Sequence, residues 1–204
     1  MINSSEQEIC SKTFLSVLPL HGLSFGEQLE ECLKALEEKA HAAELDLSNV
    51  LMETFFIRAE DNDDYYRKKT LGTSIVQEFY KTNIPPTSFV AQYPEEGKLV
   101  SLDVVLLSHP DKGKIHYKNC EGIRYATVES PLFTEVYAAG LSNHPDQTDT
   151  HAQCREALGS MKKVLKSEGM DFSHVVRQWN YIENFLKISS GRDGTQQNYQ
   201  IFND

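Results

Sequence analysis

The 204-residue sequence is short of positive charge: 20 Lys and Arg stand against 30 Asp and Glu, a formal charge of -10 with a pI near 5.2. Its only short basic groups are Arg67-Lys68-Lys69 and Lys162-Lys163 with Lys166. Phosphate backbones are bound by clustered cations, so no nucleic-acid partner is expected, and both groups read as solvated helix faces. Long apolar runs are also missing. The longest apolar stretches, such as Leu102 to Leu107 and Val136 to Leu141, fall far short of the roughly 20 residues that a membrane helix needs, so no membrane partner is expected. The first residues, Met1-Ile2-Asn3-Ser4-Ser5-Glu6, show neither a basic n-region nor an apolar h-region, and a cytoplasmic protein is expected. The four cysteines, Cys10, Cys32, Cys120 and Cys154, form no C-x-x-C and suit reduced thiols better than a disulfide framework. No G-x-S-x-G, Walker-type loop or H-E-x-x-H occurs, so covalent hydrolase and nucleotide-binding readings lack support. What remains is an ordinary globular balance, 40% apolar and 25% charged, enough for one large domain or two small ones.

After a polar leader (1–13), the alternation of Phe14 to Leu20 predicts a strand, and Pro19 places it at a sheet edge. From Phe25 to Ala43 the period changes. Leu29, Cys32, Leu33, Leu36, Ala40 and Ala43 recur at three and four, the buried stripe of an amphipathic helix. Turn chemistry at Asp46-Leu47-Ser48-Asn49 leads into a predicted strand, Val50 to Ile57. A second helix is predicted from about Asp64 to Tyr80, with N-cap candidates Asp61, Asn62 and Asp63 and a weak point at Gly72. Pro85-Pro86 stops it. Phe89–Tyr93 and Lys98–Ser108 then read as a hairpin across Pro94-Glu95-Glu96-Gly97.

Beyond a linker and strand (109–122) the order of signals begins again. A shift of 125 positions sets Asp46-Leu47-Ser48-Asn49-Val50-Leu51 on Asp171-Phe172-Ser173-His174-Val175-Val176 and carries the stripe Leu29, Cys32, Leu33, Leu36, Ala40 onto Cys154, Ala157, Leu158, Met161, Leu165. Before the helix Gly22-Leu23-Ser24 meets Gly140-Leu141-Ser142, so a loop insertion is placed in Asn143 to Asp149. The chain thus reads as two α+β units, 14–108 and 123–204, the second lacking a closing hairpin after a helix that starts near Gln196. Such a sheet would expose long edges. Either another chain covers them or, as expected here, 204 residues is a piece of a longer protein.

The order helix, D-x-S-x-V turn, strand, helix, Pro-Pro and hairpin resembles the Rid superfamily, also called YjgF or L-PSP endoribonuclease-like. Gly169-Met170-Asp171-Phe172-Ser173-His174-Val175-Val176 resembles that family's turn into its central strand, and Pro85-Pro86-Thr87 the turn before its closing hairpin. The resemblance implies a chorismate-mutase-like α+β fold, each unit a mixed sheet with two helices on one face, assembled as a homotrimer with ligand clefts between neighbours. Val176-Arg177-Gln178-Trp179-Asn180-Tyr181, then Gly191, Gly194, Tyr199 and Phe202, is similar to the second copy of the tandem-Rid chorismatases, which hydrolyse chorismate.

Family deaminases hold a substrate carboxylate with a hairpin arginine, a task its bidentate donor fork suits. Aligning Val90-Ala91-Gln92-Tyr93-Pro94 with the family's V-A-R-x-P puts the neutral Gln92 there, so the first copy reads as a degenerate site. Asp103 matches the family's acidic residue on the next strand, and would otherwise be a solvent-facing strand residue. Trp179, Asn180 and Tyr181 could line a cleft for a flat, polar, cyclic acid. On a strand, however, Trp179 and Tyr181 share one face with Arg177 while Asn180 takes the other. The aromatics serve equally as core, and Arg177 as a carboxylate binder or an ion-pair partner. His144, Asp146, Asp149, His151 and Cys154 match no ligand spacing, so no metal is expected; no cofactor is expected either. The expected ligand is a small carboxylated metabolite, bound or hydrolysed, with a non-catalytic binding or scaffold role as the alternative.

Overall fold

A computed structural model describes residues 11–141, 149–191 and 194–203. The loop insertion at Asn143 to Thr148, with His144 and Asp146, lies outside the described residues, as do Cys10 and most of the leader. Two compact bodies divide at Gly140/Leu141.

In the first body, β1 (Lys12–Val17), β2 (Val50–Ile57), β3 (Thr87–Val90) and β4 (Val100–Leu107) form a mixed sheet in the order β1-β4-β2-β3. Helices α1 (Phe25–Ala42) and α2 (Asn62–Tyr80) cover one face. Helix α1 begins where it does because Ser24 and Glu27 form a reciprocal capping box, satisfying two of the donors that every helix start leaves open. Of its predicted stripe, Leu29, Cys32, Leu33, Leu36 and Ala40 are fully buried against Phe55, Ile57, Leu102, Val104 and Leu106, while Ala43 is the exposed C-cap residue. Each such side chain contributes roughly 1.5–3 kcal/mol by leaving water. Burial also pushes the Cys32 thiol up to about 12, which leaves it protonated and unreactive. The hairpin expected from Phe89–Tyr93 and Lys98–Ser108 is not formed. β2 lies between the two segments, antiparallel to β4 and parallel to β3. An apolar strand with neighbours on both sides buries more than one at an edge, and the 91–99 segment crosses over to allow it.

The opposite face of β2 and β4 meets a second, antiparallel sheet, β5 (Lys114–Cys120), β6 (Ile123–Glu129) and β7 (Thr134–Ala138), through Leu51, Leu107 and Val128 with Val105, Ile115 and Tyr137. A bulge at Leu51 shifts the alternation of β2, so that Val50 and Phe55 both turn to the helices while Leu51 turns to the second sheet. Lys12 ties the sheets together through Glu135, at 2.9 Å.

The second body contains α3 (Thr150–Ser167), capped by Asp149 through the Ala152 N–H, a hairpin of β8 (Ile188–Gly191) with β9 (Gly194–Gln197), and α4 (Asn198–Asn203). Gln196, expected to open the last helix, is in β9. The turn of the repeat is reproduced in detail. Asp46 and Asp171 each cap a single 3-10 turn, at φ -134° and -139°, and each accepts from the serine N–H two residues on, at 2.7 and 2.9 Å. The strand expected after Asp171 is not formed: Val175 to Tyr181 makes no ladder. In the first copy that strand depends on β3 and β4, and among the described residues nothing in the second body supplies their equivalents.

Gly72 is no weak point in α2. A β-carbon there would stand 2.6 and 2.9 Å from the Phe89 ring, which stacks on Phe55 at 5.1 Å. Gly72→Ala gains up to about 1 kcal/mol of helix propensity but overpacks a stacked aromatic pair, at a cost of about 1–3 kcal/mol. Urea unfolding should therefore show a net loss of about 1–2 kcal/mol; a stabilised variant would mean that Phe89 moves freely.

Glu53 is the one fully buried acidic side chain among the described core residues. It faces the helices, accepting from Tyr80 Oη at 3.0 Å and Thr87 Oγ1 at 2.8 Å, and burial pushes its carboxyl up to about 7 against the pull of those two donors. With the folded-state value raised from the ordinary 4.5, the native state binds the extra proton between those limits. This contribution to stability is present at pH 4.5 and lost as pH rises to about 7, on the order of 3 kcal/mol in all. Unfolding of wild type and Glu53→Gln at pH 5 and pH 8 should show the variant gaining on wild type by about that amount at the higher pH. A pH-independent difference would refute the assignment.

Candidate functional site

The sheet registers assemble a row that the linear order hides. Ser16 on β1 pairs with Asp103 on β4, Asp103 with Thr54 on β2, and Thr54 with Ser88 on β3. Their neighbours Leu15, Val104, Phe55 and Phe89 pack with the helix-side core, so the alternation of each strand turns all four polar residues to the face away from the helices. The second sheet covers the end of that face where Leu51 and Leu107 lie, while Asp103 stays exposed and Phe14, next along β1, is 67% exposed.

Ser16 Oγ donates to Asp103 Oδ1 at 2.6 Å, which orients the carboxylate. One of its roughly four acceptor positions is then used, leaving others for a ligand hydroxyl, amine or water. At the other end of the row Ser88 Oγ accepts from the Gly140 N–H at 2.7 Å. Gly140 has φ +66°, and a β-carbon there would come within 2.5 Å of Thr87 O, so only glycine allows this approach. The row therefore offers an oriented acid and hydroxyls. Lys12, the cation of β1, is spent on Glu135 and lies 5.9 Å from the Tyr137 ring centroid. A ligand carboxylate would find no cation in the row itself.

Gln92 stands four residues past Ser88, beyond the end of β3, with its side chain exposed and its N–H given to Val90 O at 2.9 Å. It is not part of the row. Of the first-copy candidates the structure thus places Asp103 in a polar constellation and leaves Gln92 in the crossing segment. Ser16, Thr54 and Ser88 were missed, because their partnership depends on register between strands distant in sequence. Glu53 was missed too, although an acid inside a run as apolar as Val50 to Ile57 was a signal in itself.

The second-copy candidates belong to the other body. Arg177, Trp179, Asn180 and Tyr181 are exposed on backbone outside any strand or helix, Trp179 and Tyr181 each by 51%, so they are neither strand nor core there. Alternation survives in the contacts: the Arg177 guanidinium lies over the Trp179 ring at 4.7 Å from its centroid, and Gln178 Nε2 donates to Asn180 Oδ1. Gly191 and Gly194 face each other as a β8–β9 pair, and Phe202 follows in α4.

The basic groups and cysteines play no part in either set. Asp64, held down to about 2 chiefly by Lys68 and also by the Glu60 N–H and Arg67, pairs with both those cations. Cys32 and Cys154 are free thiols. No group of three metal-ligating side chains occurs among the described residues, and no described helix is long and apolar enough to cross a membrane.

No protein-family model matches the chain, and no curated protein sequence matches it. Solved structures similar to it include a member of the YjgF family from Neisseria meningitidis, 20% identical, with a TM-score of 0.38 over 47% of this chain and 77% of that one. The YjgF gene product of E. coli is 13% identical, with a TM-score of 0.39 over 47% and 79%. A YjgF-family protein of Streptococcus pyogenes is 16% identical, with a TM-score of 0.39 over 46% and 78%. Many of the structures it resembles are YjgF- or Rid-family structures.

Trp179 is the single tryptophan of the chain, so its fluorescence reports on the second body alone. Half-exposed and stacked by Arg177, it should be quenched readily by acrylamide, and Arg177→Ala should change its emission without altering the unfolding midpoint. A spectrum and quenching constant typical of a buried indole would overturn the exposed placement.

Proposed function

We propose that this chain is a Rid-type protein that binds a small carboxylated metabolite against the row Ser16, Asp103, Thr54 and Ser88, in a cleft closed by another copy in a homotrimer. The observation that carries the reading is the row itself: an oriented carboxylate with the Ser16 and Ser88 hydroxyls on the same sheet face, the Thr54 hydroxyl buried between Asp103 and Ser88, bordered by an exposed phenylalanine. An exposed apolar rim beside polar groups is characteristic of a surface that another molecule covers. The Rid-like order of elements in the sequence supports the same reading.

Chorismatase-like hydrolysis is its sharpest form. Asp103 would exchange protons with the attacking water and the substrate's enol-ether carbon, so that water adds and the ring alcohol and pyruvate separate. Arg177, Trp179, Asn180 and Tyr181 of the second body are proposed separately as contacts to an acid. Imine deamination of the usual family kind is disfavoured by Gln92, since an amide does not replace a guanidinium at comparable strength. Gln92 also supports the second reading, a binding or scaffold protein without turnover.

The deciding experiment combines calorimetric titration with product analysis, using chorismate and a 2-iminocarboxylate, on a sample whose mass has been fixed by light scattering. Saturable binding by a three-chain species, weakened by about tenfold in Asp103→Ala, is expected, as loss of a charged hydrogen-bond acceptor costs roughly 1.5–3 kcal/mol. Product from chorismate supports the hydrolase, and binding without product supports the scaffold. Unchanged affinity in Asp103→Ala would remove the row from the site, and imine turnover appearing only in Gln92→Arg would show how the first copy lost that activity.

A further inference from the structure

The first body has a second concavity that the row does not use. It is a cleft of about 410 Å³ where the 3-10 turn before β2, the segment after α2 and the edge strand β5 come together, lined by Ser48, Asn49, Asn83, Lys114, His116 and Tyr117 with Pro110, Gly113 and Ile115. Its volume falls within the range of small-ligand pockets, roughly 300–1,000 Å³.

Accounting for its hydrogen-bonding groups shows what it could bind. The Ser48 hydroxyl is committed to Asp46 Oδ1, and the Tyr117 hydroxyl to Val50 O at 2.7 Å. The Asn49 side chain is oriented by its carbonyl, which accepts from the Asp46 N–H at 2.9 Å, so its amide NH2 group is left to donate. Asn49 is only 5% exposed, and it is one of the residues that line the cleft. Asn83, held at φ +54°, brings a second amide, and Lys114 a cation with no ion pair among the described residues. Opposing charge comes from Glu129, the cross-strand partner of Lys114, whose Oε2 lies 3.4 Å from His116 Nε2, and from Asp46, whose Oδ1 accepts from the Ser48 N–H and hydroxyl. What remains unspent is the Asn49 and Asn83 amide donors, the Lys114 ammonium group and the buried His116 Nε2, which has no hydrogen-bond partner among the described residues, beside the apolar wall of Pro110 and Ile115.

We propose that this cleft is a separate binding site for a small anion, a carboxylate or phosphate monoester with a short apolar part, held by Asn49, Asn83 and Lys114. It is independent of the row around Asp103. Charge-assisted hydrogen bonds to oxyanions are about twice as strong as neutral ones, which makes Lys114 the main determinant of affinity and the amides that of orientation.

Inorganic phosphate and citrate serve as probes, titrated into the 15N-labelled full chain while the side-chain amide signals of Asn49 and Asn83 and the backbone signals of Ile115 and Tyr117 are followed. Saturable shifts are expected at these four residues. Lys114→Ala should weaken binding by about tenfold. Asn83→Asp, which tolerates the left-handed backbone but replaces a donor with an anion, should abolish it without changing the unfolding midpoint. Saturation by phosphate alone would assign a phosphoryl ligand, and by citrate alone a carboxylate. Shifts that rise linearly with concentration, or an affinity unchanged in both variants, would overturn the site. Because Asp103→Ala leaves this cleft intact, failure here and failure of the row are distinguishable.

Discussion

The first body depends on burying β2 on both faces. Val50, Phe55 and Ile57 meet the helices, Leu51 meets the second sheet, and all four are fully buried. Such a strand cannot lie at an edge, and this excludes a simple hairpin of β3 with β4: both must flank β2 instead. The bulge at Leu51 follows from the same demand, since strict alternation could not send Val50 and Phe55 to one side. The sequestered carboxyl of Glu53 is the cost of this position, met in part by Tyr80 and Thr87.

That topology also creates the polar row. Once β2 separates β3 from β4, the residues opposite Thr54 are Asp103 on one side and Ser88 on the other, and β1 adds Ser16. The row is chemically one-sided, with an oriented acid and hydroxyls but no cation. Lys12 is drawn away by Glu135, and Arg67 and Lys68 are held by Asp64. A carboxylated ligand must find its positive partner outside the row, which is why the absence of an arginine at Gln92 matters more than the presence of Asp103.

The two copies of the D-x-S turn separate local from non-local information. Four residues suffice to specify the capped 3-10 turn, because aspartate, serine and the residue after it satisfy one another within the turn, and Asp46 and Asp171 reach nearly the same φ. The following residues have no such autonomy. Val50 to Ile57 is a strand because β3 and β4 pair with it, and Val175 to Tyr181, without equivalents among the described residues, shows the i,i+2 contacts Arg177–Trp179 and Gln178–Asn180 but no ladder.

Whatever depends on nearest neighbours along the chain was legible in the sequence. The buried stripe of α1, the edge position of β1 ahead of Pro19, the aspartate caps and the extent of β2 follow from periodicity, capping and turn chemistry, which act over a few residues. The α+β class follows from their order. The tertiary structure decided which strands touch, and with it everything that requires register. It made partners of Ser16, Asp103, Thr54 and Ser88, left Gln92 in a crossing segment, turned Gly72 from a helix weakness into space for Phe89, and set Asn49 and Asn83 around one cleft. Strand pairing joins residues separated by tens of positions, and its energy depends on burial on faces that exist only once the other strands are in place.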